Sequence, residues 1–177
     1  AICSGPPASY DEGRRVYRTN CRTCHGHQGN AQGPTAGLLP TPPRELSVGE
    51  FRWRSTRSGS LPVDADLIRT VRDGLRGTWM AGWKDRLSAR EIRSVVMLIK
   101  TFSERFLEEE PDPVIPIPAA PPATAESLRR GKKAYEILKC GTCHGETGRG
   151  DGQAAPTLKD NAGRPIDAYD FTKGFYK

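Results

Sequence analysis

The chain has 177 residues and a formal net charge of +6, with 36% hydrophobic residues, 7% aromatic residues, 19 glycines and 15 prolines. Such a polar, loop-rich composition leaves little apolar core, so small domains of this kind usually need a disulfide, a metal or a cofactor. Lys and Arg are spread along the chain rather than clustered, which argues against a nucleic-acid partner. No run of about 18 apolar residues is present, so we expect no membrane-spanning helix.

The first predicted element in chain order is a helix over residues 10–20, after a lead-in over residues 1–8. Ser9 and Glu12 have the spacing of a capping box at its start. A Gly/Pro-rich segment over about residues 26–62 follows, and its polar character argues against a sheet.

Two further helices are predicted before the middle of the chain. Asp64 caps the first of them, "ADLIRTVRDG", and Gly74 suits its C-terminus. Ser88 and Glu91 form a second capping-box pattern, which opens the longest predicted helix, over about residues 89–106. Its apolar residues recur every three or four positions, namely Ile92, Val95, Val96, Ile99, Phe102 and Phe106.

A proline-rich segment, "EEEPDPVIPIPAAPPA", divides the chain into two parts. Six prolines within residues 111–122 exclude a helix or a central strand, so the segment is predicted to be a semi-rigid extended linker. We therefore predict a first domain over residues 9–107, a linker over 108–123 and a second domain over 124–177.

The second domain repeats the first. "GRRVYRTNCRTCHG" from Gly13 matches "GKKAYEILKCGTCHG" from Gly131 with one inserted residue, and Tyr17 pairs with Tyr135. An internal duplication with a period of about 119 residues predicts two similar domains.

Each copy contains the pattern Cys-x-x-Cys-His, as Cys21, Cys24 and His25 in the first and as Cys140, Cys143 and His144 in the second. On one helical turn the two thiols project to one side, where they can add to the two vinyl groups of a haem, with the histidine as iron ligand. A thioredoxin-like pair would need a βαβ setting, and zinc knuckles lie much closer together. The pattern predicts two covalently bound haem c groups.

A second axial ligand must come from elsewhere in each domain. Met80 and Met97 are the two methionines of the sequence. Met80 lies in the Gly-rich loop "GLRGTWMAGW", which can place a thioether on the open face of a haem. Met97 lies within the long apolar helix, where it is expected to fill the core.

With these motifs, the segment from Ser9 to Phe106 resembles a class I cytochrome c domain. The resemblance implies an all-α fold of two such domains, each with long Gly/Pro-rich loops wrapped around covalently bound haem, and first and last helices that cross. It implies His25 as proximal and Met80 as distal ligand, although Ala81 replaces the proline that often follows this methionine.

The resemblance also implies a carbonyl that accepts a hydrogen bond from the ligating histidine. In the second domain Pro156 matches the position of the family's proline. In the first domain Gly37 stands there, so Pro34 or another carbonyl is expected to serve.

The stretch "FRWR" suggests contacts with the haem propionates through Arg52, Trp53 and Arg54. A solvated basic loop is an equally good interpretation of these three residues.

The second copy ends before a methionine loop. Met80 follows His25 by 55 residues, whereas the chain stops at Lys177, and "FTKG" at 171 aligns with "FRWR" at 51. Three explanations are open for the distal ligand of the second haem: the chain is a fragment, another chain or the first domain supplies the ligand, or the iron is five-coordinate.

The favoured function is electron transfer between redox proteins, with a membrane-bound or periplasmic oxidoreductase complex as partner. The alternative is a haem enzyme, peroxidase-like or small-molecule-binding, that uses an open second haem. Covalent haem attachment implies the periplasm or the outer face of the cytoplasmic membrane. Cys3 is either a lipid-anchor site or an unpaired thiol.

Overall fold

The computed structural model describes residues 7–159, 163 and 165–174, so Cys3 lies outside the described residues. The helices are α1 (Tyr10–Asn20), α2 (Arg22–His25), α3 (Asp64–Asp73), α4 (Ala89–Lys100), α5 (Arg105–Glu108), α6 (Ala125–Ile137) and α7 (Gly141–His144). Short 3-10 turns lie at Ala36–Leu38, Ala155–Thr157 and Phe171–Lys173. Extended pairing in the described ranges is limited to one isolated bridge between Lys159 and Pro165. The predicted all-α fold is confirmed.

The chain forms two compact units, Ala1–Pro116 and Ile117–Lys177. The proline-rich segment is extended, but its first part is bound to the first unit. The Asp112 amide donates to Ser60 Oγ at 2.9 Å, and the Ile115 amide donates to the Ser55 carbonyl at 2.9 Å. The segment is therefore attached to the first unit as far as Ile115.

The core of the first unit lies mainly between α1, α3 and α4. Val16 and Val95 are fully buried, and Tyr17 is nearly so. Gly13 lies where α1 and α4 cross, and a Cβ atom at this position would lie 2.3 Å from the Ser94 carbonyl oxygen. The backbones therefore approach more closely than any larger residue at position 13 would allow.

The predicted capping box of α1 forms only in part. Ser9 Oγ accepts a hydrogen bond from the Glu12 amide, but the Glu12 carboxylate accepts from Ser94 Oγ at 2.7 Å and contacts Arg90 at 2.5 Å. Glu12 thus joins α1 to α4, because the tertiary partners lie within its reach. The Ser9 amide is satisfied instead by Ser94 Oγ, at 3.1 Å.

The start of α3 differs from the prediction by one residue. Val63 is its N-cap, and Asp64 lies within the first turn, where it pairs with Lys100 Nζ at 2.7 Å. Gly74 ends the helix as predicted, with a positive φ of 69°.

The longest predicted helix is interrupted. α4 ends at Lys100, Thr101 Oγ1 donates to the Leu98 carbonyl at 2.7 Å, and α5 begins at Arg105. A side-chain hydroxyl that bonds to a nearby carbonyl competes with the helical pattern. The apolar positions still point inward: Phe102 packs edge-on against Tyr17, with ring centroids 5.0 Å apart.

The capping box of α4 is complete and predicts a pH effect on stability. Ser88 and Glu91 cap each other, and the Arg15 guanidinium donates to Glu91 Oε1 at 2.7 Å. The Arg15 hydrogen bond, followed by those from Ser88, lowers the pKa of Glu91 from its ordinary value of 4.5 to about 2.

A carboxyl with a depressed pKa stabilises the folded state above its unfolded pKa and loses that contribution as the pH falls. We therefore expect the free energy of unfolding of the first unit to fall by about 1 kcal/mol between pH 4.5 and pH 2 through this group. In Glu91→Gln, the free energy of unfolding measured with urea should fall less as the pH is lowered from 4.5 to 2. Glu108→Gln, at an exposed position, is the control. If the free energy of unfolding of Glu91→Gln depends on pH as it does in the unmodified protein, the role given to Glu91 is contradicted.

The second unit has less buried apolar surface in its described part. Every hydrophobic residue in the described core lies in the first unit. On α6, Leu128 is 67% exposed. A Cβ atom added at Gly131 would meet no atom within 4 Å other than those of the adjacent residues and the nearby backbone of α6 itself. None of the helices in the described residues is both long enough and apolar enough to cross a membrane.

Candidate functional site

The first Cys-x-x-Cys-His sequence folds as a single helical turn after α1. The His25 amide donates to the Cys21 carbonyl at 3.0 Å, so both cysteines and the histidine share one turn. Cys21 and Cys24 are free thiols. Burial, with a smaller effect of Cys24, raises the pKa of Cys21 to about 12, so this thiol is protonated at neutral pH.

His25 is oriented by a backbone carbonyl. Its Nδ1 atom lies 2.9 Å from the Arg44 carbonyl oxygen. If Nδ1 donates its hydrogen to this oxygen, the lone pair of Nε2 is available to a metal. Burial lowers the pKa of His25 and so favours the neutral imidazole that a metal requires. The carbonyl that accepts the hydrogen bond from His25 therefore belongs to Arg44 and not to Pro34.

The second motif has the same geometry. α7 places Cys140, Cys143 and His144 on one turn, and both cysteines are free thiols. His144 Nδ1 lies 2.9 Å from the Tyr169 carbonyl oxygen. The expectation that Pro156 would supply this carbonyl is wrong, because the segment that reaches the imidazole comes later in the chain.

Phe171 adds a contact to the second histidine. Its ring stacks on that of His144, with centroids 4.2 Å apart and an interplanar angle of 25°. The stacked ring and the Tyr169 carbonyl together restrict the orientation of His144.

Equivalent hydrogen bonds recur around the two motifs and support the duplication. Tyr17 and Tyr135 donate through their hydroxyl groups to the carbonyls of Gly26 and Gly145, at 2.9 and 2.6 Å. Further repeated pairs, each from amide to carbonyl, include Gly33 to Cys24 and Gly152 to Cys143, Thr35 to Thr23 and Ala154 to Thr142, and Ala31 to His25 and Gly150 to His144.

The repeated hydrogen bonds also show that Phe171 was aligned with the wrong residue of the first unit. The Leu46 amide donates to the Gly29 carbonyl at 2.6 Å, and the Phe171 amide donates to the Gly148 carbonyl at 2.7 Å. Phe171 therefore corresponds to Leu46, and the predicted match between "FTKG" and "FRWR" is wrong. The histidine and its carbonyl are 19 residues apart in the first unit and 25 in the second, so the second loop is six residues longer.

The loop that contains Met80 is closed by its own backbone. The Leu75 amide donates to the Met80 carbonyl at 2.9 Å, and the Met80 amide donates to Thr78 Oγ1 at 3.1 Å. A Cβ atom at Gly74 would lie 2.4 Å from the Gly82 nitrogen, so the two ends of the loop pass very close together. The Met80 side chain is half-buried, and the hydrogen bonds of the loop hold the backbone that carries it in place.

Met97 is partly buried within α4, as a residue that packs between helices is expected to be.

The "FRWR" residues lie in a separate loop. Arg54 Nε donates to the Arg57 carbonyl at 2.7 Å, and its Nη1 donates to the Phe51 carbonyl. This guanidinium therefore stabilises its own loop. Arg52 and Trp53 are exposed. The role of Arg52, Trp53 and Arg54 as propionate contacts stays a prediction.

The donor set of each turn fits a covalently bound haem. Two thiols and an imidazole with an oriented Nδ1 are the groups that c-type attachment and iron ligation require. Residues 7–159, 163 and 165–174 contain no cluster of three or more His, Cys, Asp or Glu side chains that could hold a metal ion. The geometry therefore offers no support for the zinc interpretation.

Comparison with known families agrees with this chemistry in both units. A family model described as cytochrome C oxidase, cbb3-type, subunit III matches residues 8–99, which is more than half of the chain, and one described as cytochrome c matches residues 128–174. The chain is a c-type cytochrome. Residues 8–99 belong to the family of that first model.

Individual relatives of the cytochrome have related descriptions. It is 27% identical to a cbb3-type cytochrome c oxidase subunit CcoP from Azospirillum sp. (strain B510), over 83% of this chain and 45% of that protein. It is 31% identical to cytochrome c55X from Paracoccus denitrificans (strain Pd 1222), over 57% of this chain and 84% of that protein. The cytochrome spans less than half of the length of the CcoP relatives that it matches.

Among solved structures, the cytochrome resembles a chain of the Kuenenia stuttgartiensis reducing HAO-like protein complex Kustc0457/Kustc0458. The identity is 39% and the TM-score is 0.90, and the match covers 97% of this chain and 78% of that chain.

The residues that orient the two histidines escaped prediction because they act through their backbone. Arg44 and Tyr169 supply carbonyl oxygens, which every residue type has, so residue identity gives no signal. The Tyr17 and Tyr135 hydroxyl groups were detectable, since both tyrosines recur at the same place in the repeat.

Proposed function

We propose that the cytochrome transfers electrons between periplasmic redox proteins through two covalently bound haem c groups. The observation that carries this proposal is the repeated turn in which two free thiols accompany a histidine whose Nδ1 meets a backbone carbonyl. When bound, haem supplies the one-electron chemistry, while the protein binds, orients and shields it.

Each residue has a role in this proposal. Cys21 and Cys24 hold the first haem, with His25 and Met80 as its axial ligands. Cys140 and Cys143 hold the second haem, with His144 as the proximal ligand. The oriented Nδ1 of each histidine supports this assignment, because it leaves Nε2 unprotonated.

The proposed partner is an HAO-like oxidoreductase or another membrane-bound or periplasmic redox complex. The 39% identity to a chain of the HAO-like complex supports this choice. The CcoP relatives, which are described as oxidase subunits, support a place in a multi-subunit redox complex.

Removing one pair of cysteines should remove one haem. We expect the double variant Cys21→Ala/Cys24→Ala, and separately Cys140→Ala/Cys143→Ala, to retain half of the haem per protein chain. The pyridine haemochrome spectrum and the intact mass measure the haem content. Cys3→Ala, which removes a cysteine outside both motifs, should keep the full content. Full haem content in either double variant would contradict the attachment sites.

Electron transfer itself is tested by stopped-flow mixing of the dithionite-reduced cytochrome with the HAO-like protein of the Kuenenia complex. We expect the oxidation of the cytochrome to follow saturation kinetics, and the reduced first haem, with His25 and Met80 as its proposed ligands, to bind no carbon monoxide. Oxidation by ferricyanide without any electron exchange with that protein would contradict the proposed partner. Carbon monoxide binding to the second haem together with turnover of peroxide would favour the haem-enzyme alternative.

A further inference from the structure

The loop that contains Met80 also has two tryptophans with opposite environments. Trp83 packs against the core of the first unit, and its amide donates to the Val71 carbonyl at 3.1 Å. Trp79 is 69% exposed. An indole ring left in water is costly for a single chain and is a common centre of binding energy at protein interfaces.

The backbone around Trp79 is held in place. Leu75 and Thr78 close a turn through an amide-to-carbonyl bond of 3.0 Å, and the Thr78 hydroxyl donates to the Leu75 carbonyl at 2.7 Å. The same hydroxyl oxygen accepts from the Met80 amide, so both neighbours of Trp79 are fixed. A rigid aromatic side chain loses little conformational entropy when a partner covers it.

Positive charge surrounds this tryptophan along the chain. Arg76, Lys84 and Arg86 are exposed, and Asp85 is the one acidic residue between positions 74 and 90. The Lys84 charge is close enough to Asp73 to help lower the pKa of that carboxyl, behind the larger effect of Arg72. The nearby Asp73 is paired with Arg72 at 2.7 Å. The segment around Trp79 therefore carries a net positive charge on exposed side chains and suits an acidic partner.

We infer that Trp79 is the docking anchor of this cytochrome for an acidic redox protein, with Arg76 and Lys84 as the residues that attract it. The inference rests on the proposed function, because Met80, the next residue, is the proposed axial ligand of the first haem. A partner that covers Trp79 comes within one residue of that ligand. The apolar ring supplies contact area, and the cations determine the sign of the surface that docks.

The test uses the haem-loaded cytochrome on a gold electrode coated with mixed carboxylate- and methyl-terminated thiols, a surface that is acidic and partly apolar. We expect Trp79→Ala to weaken adsorption at least about tenfold, and Trp79→Phe to restore most of it. Leu107→Ala, which removes an 83% exposed side chain from α5, should adsorb like the unmodified protein. The redox midpoints of Trp79→Ala should be unchanged.

The cations are tested separately. Arg76→Gln/Lys84→Gln should make adsorption less dependent on salt, whereas Lys132→Gln/Lys133→Gln, which removes two charges from α6, should not. Equal loss in Leu107→Ala, unchanged adsorption of Trp79→Ala, or a shifted midpoint in Trp79→Ala would overturn the inference. Binding to anionic phospholipid vesicles that requires Trp79 would also overturn it, in favour of a membrane surface.

Adsorption and current distinguish the two proposals. If the unmodified protein adsorbs through Trp79 but passes no current to the electrode, the docking surface stands and the electron-transfer function is contradicted. If current flows equally in all variants, the function stands and the docking surface is contradicted.

Discussion

Replacing Met80 by alanine should lower the midpoint potential of one haem and leave the other nearly unchanged. A thioether favours Fe(II), so its loss stabilises Fe(III) and lowers the potential. The shift should be on the order of 0.1–0.2 V, a fraction of the roughly 0.8 V over which axial ligands tune haem potentials. A spectroelectrochemical titration that resolves both haems measures it.

Met97→Ala is the matched control, because it removes the other methionine from a partly buried position on α4. We expect this variant to lose stability and to keep both potentials. A shift of both potentials in Met80→Ala, or of neither, would show that Met80 is not an axial ligand. A shift in Met97→Ala alone would assign the ligand to α4.

The geometry of the loop explains why a changed potential in Met80→Ala would report on iron ligation. Leu75 and Met80 are joined by a backbone hydrogen bond, and Gly74 and Gly82 bring the ends of the loop together. None of these contacts involves the Met80 side chain. The alanine variant should therefore keep the fold of the loop, so that a changed potential reports on ligation.

The sequence predicted what depends on residue type and local spacing. The Cys-x-x-Cys-His turns, the Ser88–Glu91 capping box and the Gly74 helix end all follow from short-range patterns, and the structure has each of them. The partner of Glu12 was not predictable in the same way. Its carboxylate reaches Ser94, 82 residues away, so tertiary contact replaced a local bond of the capping box.

Loop lengths limited the prediction of the second site. The family resemblance placed the histidine-orienting carbonyl of the second unit at Pro156, and a constant offset between the repeats aligned Phe171 with "FRWR". The second loop is six residues longer, so that Tyr169 and Phe171 occupy the places of Arg44 and Leu46. Polar loops tolerate insertions, and the sequence around them has no periodicity that would reveal the new register.

The repeat supplies its own control for the crossing of α1 and α4. Gly13→Ala should lower the free energy of unfolding of the first unit by about 3 kcal/mol, because overpacking forces backbone shifts. The new Cβ atom would lie 2.3 Å from the Ser94 carbonyl oxygen and 2.9 Å from its carbon. The two helices must move apart, which loosens the contacts of Val16 and Val95 in the core.

Gly131→Ala, the equivalent change in α6, should have the opposite sign. In open surroundings alanine favours a helix over glycine by about 0.5–1 kcal/mol, so the second unit should become slightly more stable. Denaturant unfolding followed by far-ultraviolet circular dichroism and haem absorbance measures both variants. Equal destabilisation by the two substitutions would show that α6, like α1, lies in close contact with another backbone. A neutral Gly13→Ala would contradict the tight crossing in the first unit.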